Sequence, residues 1–180
     1  MQITKTLDVA NRKEWRSWLH KNNGKLPEIW LIYYRKISQK TRIPYNDAVE
    51  EALCFGWIDG QVKNIDKDRY AQRCTPRRQG SNLSEMNKER IRKLIKEGKM
   101  TRIGLDKVKS HLENKFTLTP FILRALKQNQ DVWKNFQGFP ESYKRIRIGW
   151  IANARVSDRQ RRLKYFVRMT AKNKRYGMVQ

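Results

Sequence analysis

A chain of 180 residues with 41 Lys and Arg against 17 Asp and Glu has a formal net charge of +24, well outside the range of about 2–8 in magnitude suited to a small soluble domain. The length fits one domain, or a compact domain with a small one appended. No apolar run approaches the roughly 18 residues of a membrane span, and the start lacks a basic-then-apolar signal layout. Only 38% of residues are hydrophobic, but six Trp, seven Tyr and six Phe each bring on the order of 150–250 Å² to a core. The reading is a folded, cytoplasmic protein with no membrane insertion, drawn to polyanions by its charge. A generally basic, Lys-rich proteome is the bland alternative source of that charge.

In chain order, Asp8 reads as the cap of a helix running to about His20, with Trp15, Trp18 and Leu19 on one face. Asn22-Asn23-Gly24 stops it. Glu28 to Tyr34 is dense in β-branched and aromatic residues and predicts a strand. Pro44 opens a helix whose buried stripe is Ala48, Val49, Ala52, Leu53 and Phe55, with Gly56 as its C-terminal stop. Trp57-Ile58 predicts a short strand ending at the turn dipeptide Asp59-Gly60. Val62–Ile65 and Arg69–Thr75 predict a hairpin around Asp66-Lys67-Asp68, with Pro76 at its end. Ser84 caps a helix that Gly98 stops, and another helix is expected from Thr101 to about Asn114. Lys115 to Thr119 reads as a connector. Four helices follow: Pro120–Asn129, Asp131 to about Gln137, Glu141–Ala154, and a last one capped by Ser157 and running to about Lys172.

Two blocks concentrate the positive charge. From Arg69 to Arg102 eleven basic residues face Glu85, Glu89 and Glu97, and from Glu141 onward twelve face only Glu141 and Asp158. Arg69, Arg73 and Arg77, spaced by four on a strand, are expected on one face as a positive rail, with a solvated face paired to nearby carboxylates as the alternative. Asn82, Ser84 and Asn87 stand at the following helix N-terminus, where backbone N–H groups favour anions. Asp59 beside Trp57 reads as a turn former or as an acid or base. The expected anion groove is therefore built from Trp57, Asp59, Arg69, Arg73, Arg77, Asn82 and Arg90. Arg155, Arg159, Arg162, Lys164 and Arg168 form a second candidate surface, for phosphate-driven nucleic-acid contact without sequence preference.

Other chemistries find little support. His20 and His111 stand far apart with no second ligand at helical spacing, so no metal is expected. Cys54 and Cys74 lack CxxC spacing and read as buried reduced thiols. No P-loop, GxGxxG or GxSxG pattern occurs. No catalytic residue and no cofactor is assigned.

Pro44-Tyr45-x-x-Ala48-Val49-Glu50-Glu51-Ala52-Leu53-Cys54-Phe55-Gly56-Trp57-Ile58-Asp59-Gly60 resembles the YdeI/OmpD-associated family of bacterial proteins, also called bacteriocin-protection proteins. So do Asp68-Arg69-Tyr70-x-Gln72-Arg73-x-Thr75-Pro76-Arg77-Arg78, the C-terminal Phe136-x-x-Phe139-Pro140-x-Ser142-Tyr143 and Gly149-Trp150-Ile151. The sequence departs from the family pattern at Cys74 and Leu83, where Phe and Trp are expected. The N-terminal part also resembles YdhG-like α+β proteins, some described as iron chaperones, but this chain lacks the acidic or His-rich surface that iron needs.

The resemblance implies an α+β fold, a small mostly antiparallel sheet with packed helices (residues 1–116), followed by a helical C-terminal module (117–180). It also implies a non-enzymatic stress or bacteriocin-protection role and an outer-membrane porin association. A chain of this charge is not expected to grip a cationic peptide directly, since like charges repel, so the protection reads as indirect, and so does the porin association. Expected partners are a small anion or polyanion. The alternative reading is a sequence-nonspecific nucleic-acid binder. A third is an enzyme on a small phosphorylated or carboxylated metabolite, with Asp59 as its acid or base.

Overall fold

The computed structural model describes residues 2–112 and 117–177. The expected helix end at Asn114 and the start of the connector at Lys115 lie outside the described residues. The chain packs as two compact units: Met1–Asn82 with Arg90–Leu112, and Leu83–Glu89 with Glu113–Gln180.

The first unit is built on a four-stranded mixed sheet in the order β1-β2-β4-β3. β1 (Thr6–Leu7) lies parallel to β2 (Ile29–Tyr34), and β3 (Trp57–Asn64) and β4 (Arg69–Pro76) extend the sheet antiparallel. The expected α+β fold, with a small and mostly antiparallel sheet, is the one observed. β2 is buried almost end to end, as its run of Ile, Trp, Leu, Ile and Tyr requires. β3 continues past Asp59-Gly60 instead of turning there, and a register shift between Asp59 and Val62 marks a bulge. The extra residue is accommodated by local kinking, so the Asp-Gly signal is absorbed within a strand.

Helices α1 (Arg12–Asn22) and α2 (Tyr45–Cys54) pack against one another on one side of this sheet. Trp15 donates its indole N–H to the Ala48 carbonyl at 3.0 Å, and Trp18 meets Trp57 edge-on with ring centroids 5.9 Å apart. The cap of α1 is Asn11, whose side chain accepts from the Glu14 N–H, and not Asp8. α4 (Arg102–Leu112) crosses the end of α2 at Gly104. A Cβ there would lie 2.1 Å from the Cys54 carbonyl oxygen. α3 (Glu85–Lys96) starts at Ser84, whose hydroxyl accepts from the Asn87 N–H.

The second unit is helical: α5 (Pro120–Lys127), α6 (Gln130–Gly138), α7 (Glu141–Ala152) and α8 (Val156–Ala171). Its core gathers Ile122, Leu126, Val132, Phe136, Tyr143 and Phe166, with Ile148, Ile151 and Leu163 beside them. α8 starts slightly earlier than Ser157 suggests, with Arg155 as its cap residue. Among the described residues no helix is long and apolar enough to cross a membrane.

Candidate functional site

Strand pairing divides the expected anion groove between two faces of the sheet. Residues directly opposite in an antiparallel pair share a face. β2 and β4 pair Trp30 with Arg73, Ile32 with Ala71 and Tyr34 with Arg69. Arg69 and Arg73 therefore share one face with Trp30, Ile32 and Ala71, which cluster there. Asp59 pairs with Cys74 and Trp57 with Pro76, so both belong to the opposite face, under α1 and α2.

Each arginine of the rail has its own environment. The Arg69 guanidinium is bound to Asp66, with Nε 2.8 Å and Nη2 2.7 Å from Oδ2. This contact and two backbone N–H donors hold the Asp66 carboxyl below its ordinary range. Arg73 grips Glu28 through Nε at 2.6 Å and also through Nη2. Hydrogen bonds from Thr4 and Arg73 hold the Glu28 carboxyl low. Arg77 leaves the strand and is 2% exposed. Its Nη2 donates to the Ser81 carbonyl at 2.9 Å and to the Asn82 carbonyl, while Nε and Nη1 have no hydrogen-bond partner among the described residues. Burial pulls this guanidinium below its ordinary value. Asn82 thus takes part through its backbone oxygen.

A different polar cluster forms under α2. Asp59 Oδ2 accepts from the Tyr45 hydroxyl at 2.8 Å and from the Gln72 amide at 2.9 Å. Burial and the bond to Asp59 push the Tyr45 hydroxyl up to about 12, so it remains a donor near neutral pH. Arg90 donates to the Asn46 side chain, next to Tyr45, at 2.9 Å. Trp57 is fully buried and its indole N–H donates to Asn23 at 3.0 Å. The arrangement ties the bulge in β3 to the start of α2. Tyr45 and Gln72, absent from the expected site, complete it, and both lie within the motif stretches that contain Asp59 and Arg73.

The cysteines are enclosed and unpaired. Burial pushes the Cys54 thiol up to about 11 and raises that of Cys74 as well, which removes thiolate character near neutral pH. Among the described residues no group of three His, Cys, Asp or Glu side chains is placed to hold a metal.

On α8 the five expected basic residues separate into two stripes, as 100° per residue dictates. Arg155, Arg159 and Arg162 lie on one. Arg162 donates to the Trp150 carbonyl at 2.7 Å, and Arg159 to the Ala154 carbonyl at 3.4 Å; they cover the last turn of α7 and the turn after it. Lys164 and Arg168 lie on the other stripe together with Arg161, which pairs with Asp158 at 2.7 Å. Gln160, Arg161, Lys164, Tyr165 and Arg168 line an open groove of about 480 Å³. Neither Lys164 nor Arg168 has a carboxylate partner among the described residues. Tyr165 is absent from the expected surface, although its spacing from Arg161 and Arg168 is the helical signal for it.

The fold and these surfaces define a two-unit α+β protein: a small-sheet unit with a polar cluster beneath its second helix, and a strongly basic helical unit. Its residues 7–107, more than half of its length, match the family described as Domain of unknown function (DUF8412), and the chain belongs to that family. Residues 115–173 match the model described as Bacteriocin-protection, YdeI or OmpD-Associated. The helical module is accordingly of the YdeI/OmpD-associated type, and the motifs around Trp57 and Arg73 fall within the first match. Neither a curated protein nor a solved structure matches the chain.

Proposed function

We propose that this protein binds polyanions, nucleic acid first among them, through the outward stripe of α8. The observation that carries the reading is the groove in which Lys164 and Arg168 stand beside Tyr165, without carboxylate partners among the described residues. Arg69 and Arg73, by contrast, already hold Asp66 and Glu28. A cation free of local neutralisation gains most from a phosphate, because binding releases condensed counterions without first breaking an ion pair. The interactions available are with backbone charge, so sequence preference should be slight. Cytoplasmic residence fits the reduced, enclosed Cys54 and Cys74.

The test is anisotropy of a labelled 20-nucleotide strand titrated with protein at several salt concentrations. Affinity should fall steeply with salt, and Lys164→Ala with Arg168→Ala should flatten the log–log slope by about 0.7 for each phosphate that the variant no longer neutralises, the single-strand value. Absence of binding at low salt, or a slope unchanged in the double variant, overturns the proposal. A second reading, a small-anion site serving a stress or bacteriocin-protection role, is favoured by the enclosed Arg77, two of whose nitrogens have no hydrogen-bond partner among the described residues. Inorganic phosphate should then bind the native protein and fail to bind Arg77→Met.

A further inference from the structure

Trp150 and Tyr165 are each 38% exposed, although both belong to the helical unit that encloses most of its other aromatic side chains. Tyr176 stands between them: its ring centroid is 4.7 Å from that of Tyr165 and 6.4 Å from that of Trp150. The three rings form a continuous strip along α7, α8 and the chain after α8. Each carries a guanidinium. Arg162 lies 4.4 Å from the Trp150 centroid, Arg147 4.5 Å from Tyr176 and Arg168 5.1 Å from Tyr165. The strip opens at Tyr165 into the groove bordered by Lys164 and Arg168.

Cations alone would serve any polyanion. Exposed rings would not improve the binding of duplex DNA, whose bases are stacked on one another and whose surface is phosphate and sugar. An unstacked base, however, presents a π-face to aromatic rings and to arginine planes alike. We infer that the strip Trp150–Tyr176–Tyr165, with its arginines, selects single-stranded over duplex nucleic acid by stacking unpaired bases. This rests on the polyanion-binding reading of α8 and narrows it to one ligand class. Lys164 and Arg168 follow the phosphates while Tyr165 and Trp150 take the bases.

Three ligands separate the terms at one salt concentration: a 20-nucleotide thymidine strand, a mixed-sequence 20-base-pair duplex, and a polyphosphate of matched charge, which has no bases. The single strand should bind tightest and quench tryptophan fluorescence, and the quench should disappear in Trp150→Phe. Tyr165→Ala should weaken single-strand binding about tenfold, the scale of one stacked base, and weaken polyphosphate binding far less, by the support its ring gives Arg168 alone. Tyr165→Phe, which keeps the ring, should behave as the native protein. If duplex or polyphosphate binds as tightly as the strand, or if Tyr165→Ala affects all three alike, the single-strand inference falls and polyanion binding stands. If none of the three binds, both fall.

Discussion

Glu51 is 2% exposed, and its two oxygens are taken by Arg12 Nε at 2.6 Å and Arg16 Nη1 at 2.7 Å. Both arginines retain roughly a third of their side-chain exposure, so they rehydrate when the carboxylate is removed. The loss in Glu51→Gln should therefore fall short of the 3–5 kcal/mol typical of breaking a fully enclosed pair, at about 1–3 kcal/mol, read from urea unfolding as a lower midpoint at unchanged slope. A shift within about 0.5 kcal/mol would mean that the arginines find other acceptors. The same logic of partners explains what was legible in the rail. Period-two alternation correctly places Arg69 and Arg73 on one face. Asp66, three residues before Arg69, is a visible counter-ion, whereas Glu28 meets Arg73 only because β2 lies against β4 across 45 residues of chain. Long-range neutralisation of this kind has no local signature. Tyr165 could have been found, since Arg161, Lys164 and Arg168 surround it at helical spacing.

Gly104 shows how one element seats another. α4 approaches the end of α2 so closely that Cys54's carbonyl accepts both the Thr101 N–H at 3.1 Å and the Thr101 hydroxyl at 2.6 Å. Alanine is the better helix former by about 1 kcal/mol, but its methyl would overlap the Cys54 oxygen. That atom belongs to backbone pinned by two hydrogen bonds and cannot step aside. The clash should win, and Gly104→Ala should cost a net ~1–3 kcal/mol, measured by chemical denaturation. In Gly138→Ala, among the described residues, nothing beyond the adjoining residues and the helix's own backbone stands within 4 Å of the new methyl, and the melting temperature should hold or rise. Equal behaviour of the two variants would overturn this account of how α4 meets α2. Elements with strong periodicity, such as β2 and α8, were readable from sequence because burial and propensity agree there. Boundaries set by competition were not. Asp8 and Asn11 are both good caps, and Asn11 prevails where Glu14 closes back on the Ala10 N–H at 2.9 Å. The Asp59-Gly60 turn signal yields to the pairing of Val62, Lys63 and Asn64 with β4.

A net charge of +24 on 180 residues acts on the whole molecule through the range of its field. The screening length is about 30 Å at 0.01 M salt and about 10 Å at 0.1 M, so at low salt each excess cation feels others well beyond its neighbours. Two effects oppose one another when salt is added. Exposed ion pairs such as Arg161–Asp158 and Lys99–Glu97 weaken, but each contributes only about 0–1 kcal/mol. Repulsion among the unmatched cations also weakens, and compact folding is the state that suffers from it. With cations exceeding anions by more than two to one, the second effect should dominate. The thermal midpoint should therefore rise by several degrees between about 0.01 M and 0.3 M sodium chloride, where screening shrinks from well over a helix diameter to below it. Polyphosphate should raise it further at equal ionic strength, because a ligand bound only by the folded state stabilises by mass action in addition to screening. A midpoint that falls with salt would show that paired charges outweigh the excess. Equal effects of polyphosphate and chloride would show that the basic surface of α8 is merely screened and not occupied.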